Sequence, residues 1–141
     1  MTATTSRESG GHAPAGVAEG VRGTLAAYCH ALDDGRVADL VALFTTDGSS
    51  ALPGMDPVAG QDALRALYGE LTPKAPQRHL VFNTAITRWD GQRVHALSDL
   101  VFLTLAESGW AVSLVGRYDD VLREEDGQWR FERRVLSFVT P

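Results

Sequence analysis

The sequence predicts an α+β domain in which three N-terminal helices cover one face of a curved, mostly antiparallel sheet. Two observations carry this. Up to Pro76 apolar residues recur at helical spacing, and beyond it the period becomes two. Two turn signals, Asp90-Gly91 and Glu125-Asp126-Gly127, then fold the second half into hairpins. A chain of 141 residues suits one ordinary domain.

Residues 1–16 are rich in Ser, Thr, Gly, Ala and Pro and hold no large aliphatic residue after Met1. They cannot bury enough surface to offset ordering entropy, so they are expected to be a disordered tail, with the domain spanning 17–141. Val21, Leu25, Tyr28 and Leu32 make one apolar stripe of a first helix, which Asp33-Asp34-Gly35 ends. Val37, Leu40, Val41 and Phe44 continue the period in a shorter second helix. Asp47-Gly48-Ser49-Ser50 reads as a loop, and Ala51-Leu52 as a brief strand. Leu64, Leu67, Tyr68 and Leu71 mark a third helix, closed by Pro73 and Pro76. Strands are expected over 78–84, over 85–89 and 93–105 around the first turn, and over 110–123 and 128–139 around the second.

Charge and cysteine content narrow the function. Thirteen Lys and Arg stand against 18 Asp and Glu, a net charge of -5, so the basic footprint of a nucleic-acid-binding surface is missing. Cys29, the one cysteine, cannot form an internal disulfide or a thiolate zinc site. The histidines are not spaced as a local metal site, and no nucleotide-binding or nucleophile-elbow motif occurs, so no metal or cofactor is expected. No apolar run approaches the ~20 residues needed to cross a bilayer, and no secretory signal pattern is present. A soluble cytoplasmic protein, without a membrane partner, is the expectation.

The residues that draw chemical interest are few. In the long strand Asp99 alternates onto the same face as Leu97, Val101 and Leu103. A carboxylate among aliphatics needs a partner if that face is buried. The partner is either His79, at the start of the first strand, or an arginine such as Arg117 or Arg134 in a plain structural ion pair. An Asp99–His79 pair would fix the imidazole tautomer for proton transfer near neutral pH. Tyr28 lies on the apolar stripe, so its hydroxyl is expected inside and in need of a partner. Asp33 follows about 140° around the helix, and reaches the same hollow only if the helix loosens at its end. Otherwise Asp33 serves as a turn residue or cap.

These segments together resemble a known family. Tyr28 to Gly35, then Leu40 to Gly48, are similar to the opening of SnoaL-like proteins in the nuclear transport factor 2-like superfamily. Gly60-Gln61-Asp62-Ala63-Leu64 matches their third helix, and Arg78-His79-Leu80-Val81-Phe82-Asn83 resembles the histidine strand of the scytalone dehydratase-type branch. Gly116 to Asp120, Gly127 to Phe131 and Arg134 match the closing hairpin. The resemblance implies a cone-shaped α+β barrel with a deep apolar pocket and association into a homodimer or homotrimer. By resemblance to the scytalone and bile-acid 7α-dehydratases, the working groups fall on Tyr28, Asp33, His79 and Asp99. Arg134, adjacent to Arg133, takes the place of the last-strand arginine; Phe82, Leu97 and Val101 are expected to line the pocket with it.

Two other chemistries of the superfamily match less well. The carboxylate base of the ketosteroid isomerases is missing from Ser49-Ser50-Ala51-Leu52-Pro53, and Leu97-Ser98-Asp99 lacks the Arg-x-Asp pair of the epoxide hydrolases. The expectation is therefore a cofactor-independent lyase or isomerase, of dehydratase or polyketide-cyclase type, acting on an apolar cyclic carbonyl compound. The alternative is a pocketed small-molecule-binding or assembly module without chemistry. Should His79 and Asp99 lie on opposite sides of the sheet, or aliphatics fill the hollow, the enzyme expectation falls and only a compact fold is left.

Overall fold

The computed structural model describes residues 12–140. Of the expected tail, residues 1–11 lie outside the described residues, 12–14 are non-helical, and the last two already belong to helix α1 (Ala15–Asp33). Two further helices follow, α2 (Val37–Val41) and α3 (Gln61–Glu70). The strands are β1 (Phe44–Ala51), β2 (Val58–Ala59), β3 (Gln77–Trp89), β4 (Arg93–Ala106), β5 (Gly109–Glu125) and β6 (Gln128–Phe138). They form one curved six-stranded sheet in the order β2-β1-β6-β5-β4-β3, which stays open between its edges β2 and β3.

The helical stripe buries as its period demands. Val21, Leu25, Tyr28 and Leu32 meet Leu64, Leu67 and Tyr68 of α3 and the sheet residues Val94, Ala96, Leu100, Tyr118, Leu122 and Phe131. None of the described helices is long and apolar enough to cross a membrane. The hairpin joining β5 to β6 turns at Asp126 and Gly127, with φ of 53° and 76°, the left-handed pair that a two-residue turn needs.

Three segments differ from the sequence expectation. Phe44 does not extend α2 but opens β1, and the stretch 47–50 read as a loop is strand. The cause is non-local: β1 runs parallel to β6, and the Phe131 amide donates to the Leu43 carbonyl at 2.8 Å. Gly48 permits that approach, since a Cβ there would come within 2.8 Å of the Phe131 carbonyl oxygen. The stretches 78–84 and 85–89 are a single strand, bulged where Asn83 takes a φ of 55°. A third hairpin joins β4 to β5.

The decisive feature for function is the parity of the strands. On β4 the buried positions are Val94, Ala96, Ser98 and Leu100, so Leu97, Asp99 and Val101 face outward. On β3, His79 and Val81 turn toward the helices, while Leu80 and Phe82 lie outside and are 46% and 43% exposed.

Candidate functional site

Between α1, the loop after β1 and the inner face of the sheet lies a cavity of about 280 Å³. Tyr28, Leu32, Met55, Leu71, Phe102 and Leu136 supply apolar wall, and His79, Gln77 and Tyr118 bring polar groups to it. A second hollow, a groove of about 530 Å³, runs between α1 and the edge strand β3, and Asp33 lines it. His79 lines both.

The imidazole is held from two sides, by Asp33 and by Phe102. Asp33 Oδ1 lies 2.6 Å from His79 Nδ1, and Asp33 Oδ2 accepts the His79 backbone N–H at 2.8 Å. Gln77 Nε2 donates to Asp33 Oδ1 at 3.2 Å. On the far side Phe102 stacks against the ring with centroids 4.4 Å apart. A carboxylate only accepts, so Nδ1 carries the proton when the ring is neutral and Nε2 keeps its lone pair. Burial pushes the His79 pKa below its ordinary 6.5; Asp33 pulls it up and the Arg134 charge adds to the fall. The ring is therefore a neutral base at physiological pH.

Asp33 reaches His79 although α1 stays helical to its last residue. The loosening that would have brought Asp33 into the cavity beside Tyr28 does not occur. The 140° offset instead places Asp33 behind the imidazole and Tyr28 in the cavity wall. The Tyr28 hydroxyl is bonded to the Tyr68 hydroxyl at 2.9 Å, which in turn meets Ser50 Oγ at 2.9 Å.

Asp99 does not meet His79. It lies on the outer face, where Arg117 Nε and Nη2 donate to its Oδ1 at 3.1 and 3.0 Å and Asn83 Nδ2 to its Oδ2 at 3.1 Å. The expected His79–Asp99 pair is thus replaced by His79–Asp33, and Asp99 forms the plain ion pair with Arg117. Phe82, Leu97 and Val101 share that outer face and do not line the cavity. The error was one of parity, and a one-residue change of parity moves every side chain of a strand.

Arg134 turns inward and Arg133 outward, but Arg134 does not reach the cavity either. It is fully buried, with Nε 3.1 Å from Asp120 Oδ1 and Nη2 3.3 Å from Asp120 Oδ2. Its guanidinium carbon lies 3.4 Å from the ring centre of Tyr118, 4.1 Å from that of Tyr28 and 4.4 Å from that of Phe131. Burial opposes the charge, yet Asp120 together with Tyr118, Tyr28 and Tyr68 outweighs it, and the guanidinium pKa stands above its ordinary value. Burial pushes Asp120 up to about 6 against the pull of Arg134. The cation is thus a fixed charge behind the tyrosine wall.

Sequence reasoning overlooked Gln77 and Tyr118. Tyr118 pairs across the sheet with Ser98, an inward position, so it was discoverable once the parity of β4 was known. Gln77 carried no signal, because its partner Asp33 is 44 residues away. Among the described residues no three His, Cys, Asp or Glu side chains converge as metal ligands.

The SnoaL-like domain profile matches residues 18–135. The chain belongs to the SnoaL-like domain family. Solved structures agree with this membership. A Mycobacterium tuberculosis protein of unknown function superposes with a TM-score of 0.82 at 25% identity, covering 89% of this chain and 73% of its own. A Catenulispora acidiphila protein bound to S-DNPA gives 0.79 at 27% identity, with 89% and 95% covered. A candidate scytalone dehydratase from Novosphingobium aromaticivorans gives 0.77 at 22% identity over 88% and 85%, a likeness of fold alone. No curated protein matches this SnoaL-like sequence.

Proposed function

We propose that this SnoaL-like protein is a cofactor-independent lyase or isomerase, of dehydratase or cyclase type, acting on an apolar cyclic carbonyl compound. One observation supports this above the rest, with Asp33 in the place expected of Asp99: a neutral imidazole, backed by a carboxylate, lines a largely apolar cavity. His79 Nε2 takes the proton from the carbon α to the carbonyl, and Asp33 stabilises the imidazolium that forms. The C–H electron pair becomes the carbon–carbon double bond of an enolate. In a dehydration the same imidazolium returns its proton to the leaving hydroxyl, so water departs and one imidazole serves both steps. General acid–base assistance of this kind is worth about 10²–10⁴-fold.

The Catenulispora protein's complex with S-DNPA supports a small-molecule ligand for this chain too, though the likeness is one of shape at 27% identity. Large apolar side chains on the outer sheet face, including Val112 at 61% and Val115 at 42% exposure, support association of two or three copies there. The test of the chemistry is deuterium exchange at the α-carbon of 1-tetralone, a cyclic aromatic ketone, followed by proton NMR in D2O. The folded protein is expected to accelerate exchange and His79→Ala to abolish the acceleration. Equal rates for the two proteins would leave only a binding module.

A further inference from the structure

The cavity holds a polar group that the proton transfer above does not use. Tyr118 is 1% exposed and lines the cavity. Among the described residues its hydroxyl has no hydrogen-bond partner, and it is not among the side-chain atoms sealed away without one. Its oxygen therefore keeps access to open space, where a ligand group can pair with it. The neighbouring Tyr28 hydroxyl, by contrast, is already engaged by Tyr68. Ring and hydroxyl also sit in an unusual field. The Arg134 guanidinium carbon lies 3.4 Å from the Tyr118 ring centre, held by Asp120 and shielded from solvent.

From this geometry we infer that Tyr118 is a catalytic residue that binds the carbonyl oxygen of the substrate, its hydroxyl donating to the oxyanion that forms as His79 removes the α-proton. The inference rests on the reading of His79 as base and adds the place where the displaced charge goes. The proton passes from the α-carbon to His79 Nε2. The C–H pair forms the new carbon–carbon bond order, and the carbonyl π pair moves onto oxygen. Tyr118 keeps its proton throughout and donates a hydrogen bond. The Arg134 charge behind the ring favours negative charge at that oxygen, and because it is already fixed by Asp120 it needs no reorganisation at the moment of reaction.

The two groups open on one space. Both line one cavity of about 280 Å³, and the Arg134 charge packed on Tyr118 also reaches the His79 titration. The substrate class follows: a cyclic ketone or ring-fused carbonyl whose oxygen points at β5 while its acidic C–H faces β3. Tyr28, the tyrosine singled out by sequence, supplies wall to the cavity while its hydroxyl holds Tyr68 and, through it, Ser50.

Infrared spectroscopy of bound 1-tetralone tests the assignment separately from proton transfer. The carbonyl stretch is expected to move to lower frequency in the wild-type protein and equally in His79→Ala. It is expected to return to the free value in Tyr118→Phe. That substitution removes no hydrogen bond among the described residues, and an unchanged thermal unfolding midpoint will confirm that the fold is intact. Exchange at the α-carbon is expected to fall ~10²–10³-fold in Tyr118→Phe, the usual cost of losing an oxyanion donor. A carbonyl shift that persists in Tyr118→Phe, or that is absent from the wild type, overturns the role of Tyr118. Loss of exchange in His79→Ala with the carbonyl shift retained shows the base and the oxyanion donor acting as two separate groups. Exchange surviving in His79→Ala refutes the base and leaves the Tyr118 contact to be judged by the carbonyl stretch alone.

Discussion

Two carboxylates, Asp33 and Asp99, occupy opposite sides of the same sheet and do different work. Asp33 sits inside, its side chain 6% exposed, and grips an imidazole. Asp99 sits outside with a side chain 28% exposed, and holds a guanidinium that is itself 56% exposed. Water screens the second pair and leaves little for it to contribute, whereas exclusion of water lets the first set a tautomer and a basicity. Side-chain chemistry alone does not separate the two; the face of the sheet does.

The sharpest way to break this comparison is to neutralise each carboxylate. Asp33→Asn presents an amide that can donate to Nδ1, which moves the imidazole proton to Nε2 and blocks the base. Exchange at the 1-tetralone α-carbon is expected to fall about 10²–10⁴-fold, while circular dichroism stays native. The interior ion pair offers the next largest effect. Arg134→Met strips Asp120 of its counter-charge in a fully buried site, and urea unfolding is expected to show a loss of about 3–5 kcal/mol.

A pH profile sharpens the contrast further. Burial lowers the His79 pKa below 6.5, so the acid limb of exchange is expected to have its midpoint below 6.5, and lower still in Asp33→Asn, where the upward pull of the carboxylate is gone. The sign for stability follows from proton counting. Below 6.5 the unfolded chain binds the proton more readily than the folded one. The contribution of neutral His79 to stability is therefore complete above that pH and is lost as pH falls through the folded-state value. Smallest of all is Asp99→Asn, which is expected to leave the exchange rate and its pH midpoint where they were. A loss there would place Asp99 back in the chemistry.

Much of this arrangement was legible in the residues. The stripe from Val21 to Leu32 announced α1, and Asp90-Gly91 and Asp126-Gly127 announced two hairpins. His79, Asp33 and Tyr28 all stand at or beside the cavity. The partner of His79 was not legible, because both faces of β4 are apolar. Val94, Ala96, Ser98 and Leu100 form one set and Leu97, Val101, Leu103 and Leu105 the other, and the second is the greasier. Hydrophobicity therefore pointed to the wrong face. β1 was hidden for a related reason, since a parallel partner from the far end of the chain leaves no local turn to read.

The amino-acid sequence by itself determined the class of fold, its three helices, two of its hairpins and the short list of ionisable side chains available for catalysis, because helical period, turn residues and residue chemistry are local properties. Tertiary structure decided which of them meet. Asp33 and His79 are 46 residues apart, and their contact exists only because α1 packs across the edge of β3. The same packing sets which side of β4 is dry, and burial sets how strongly a charge acts.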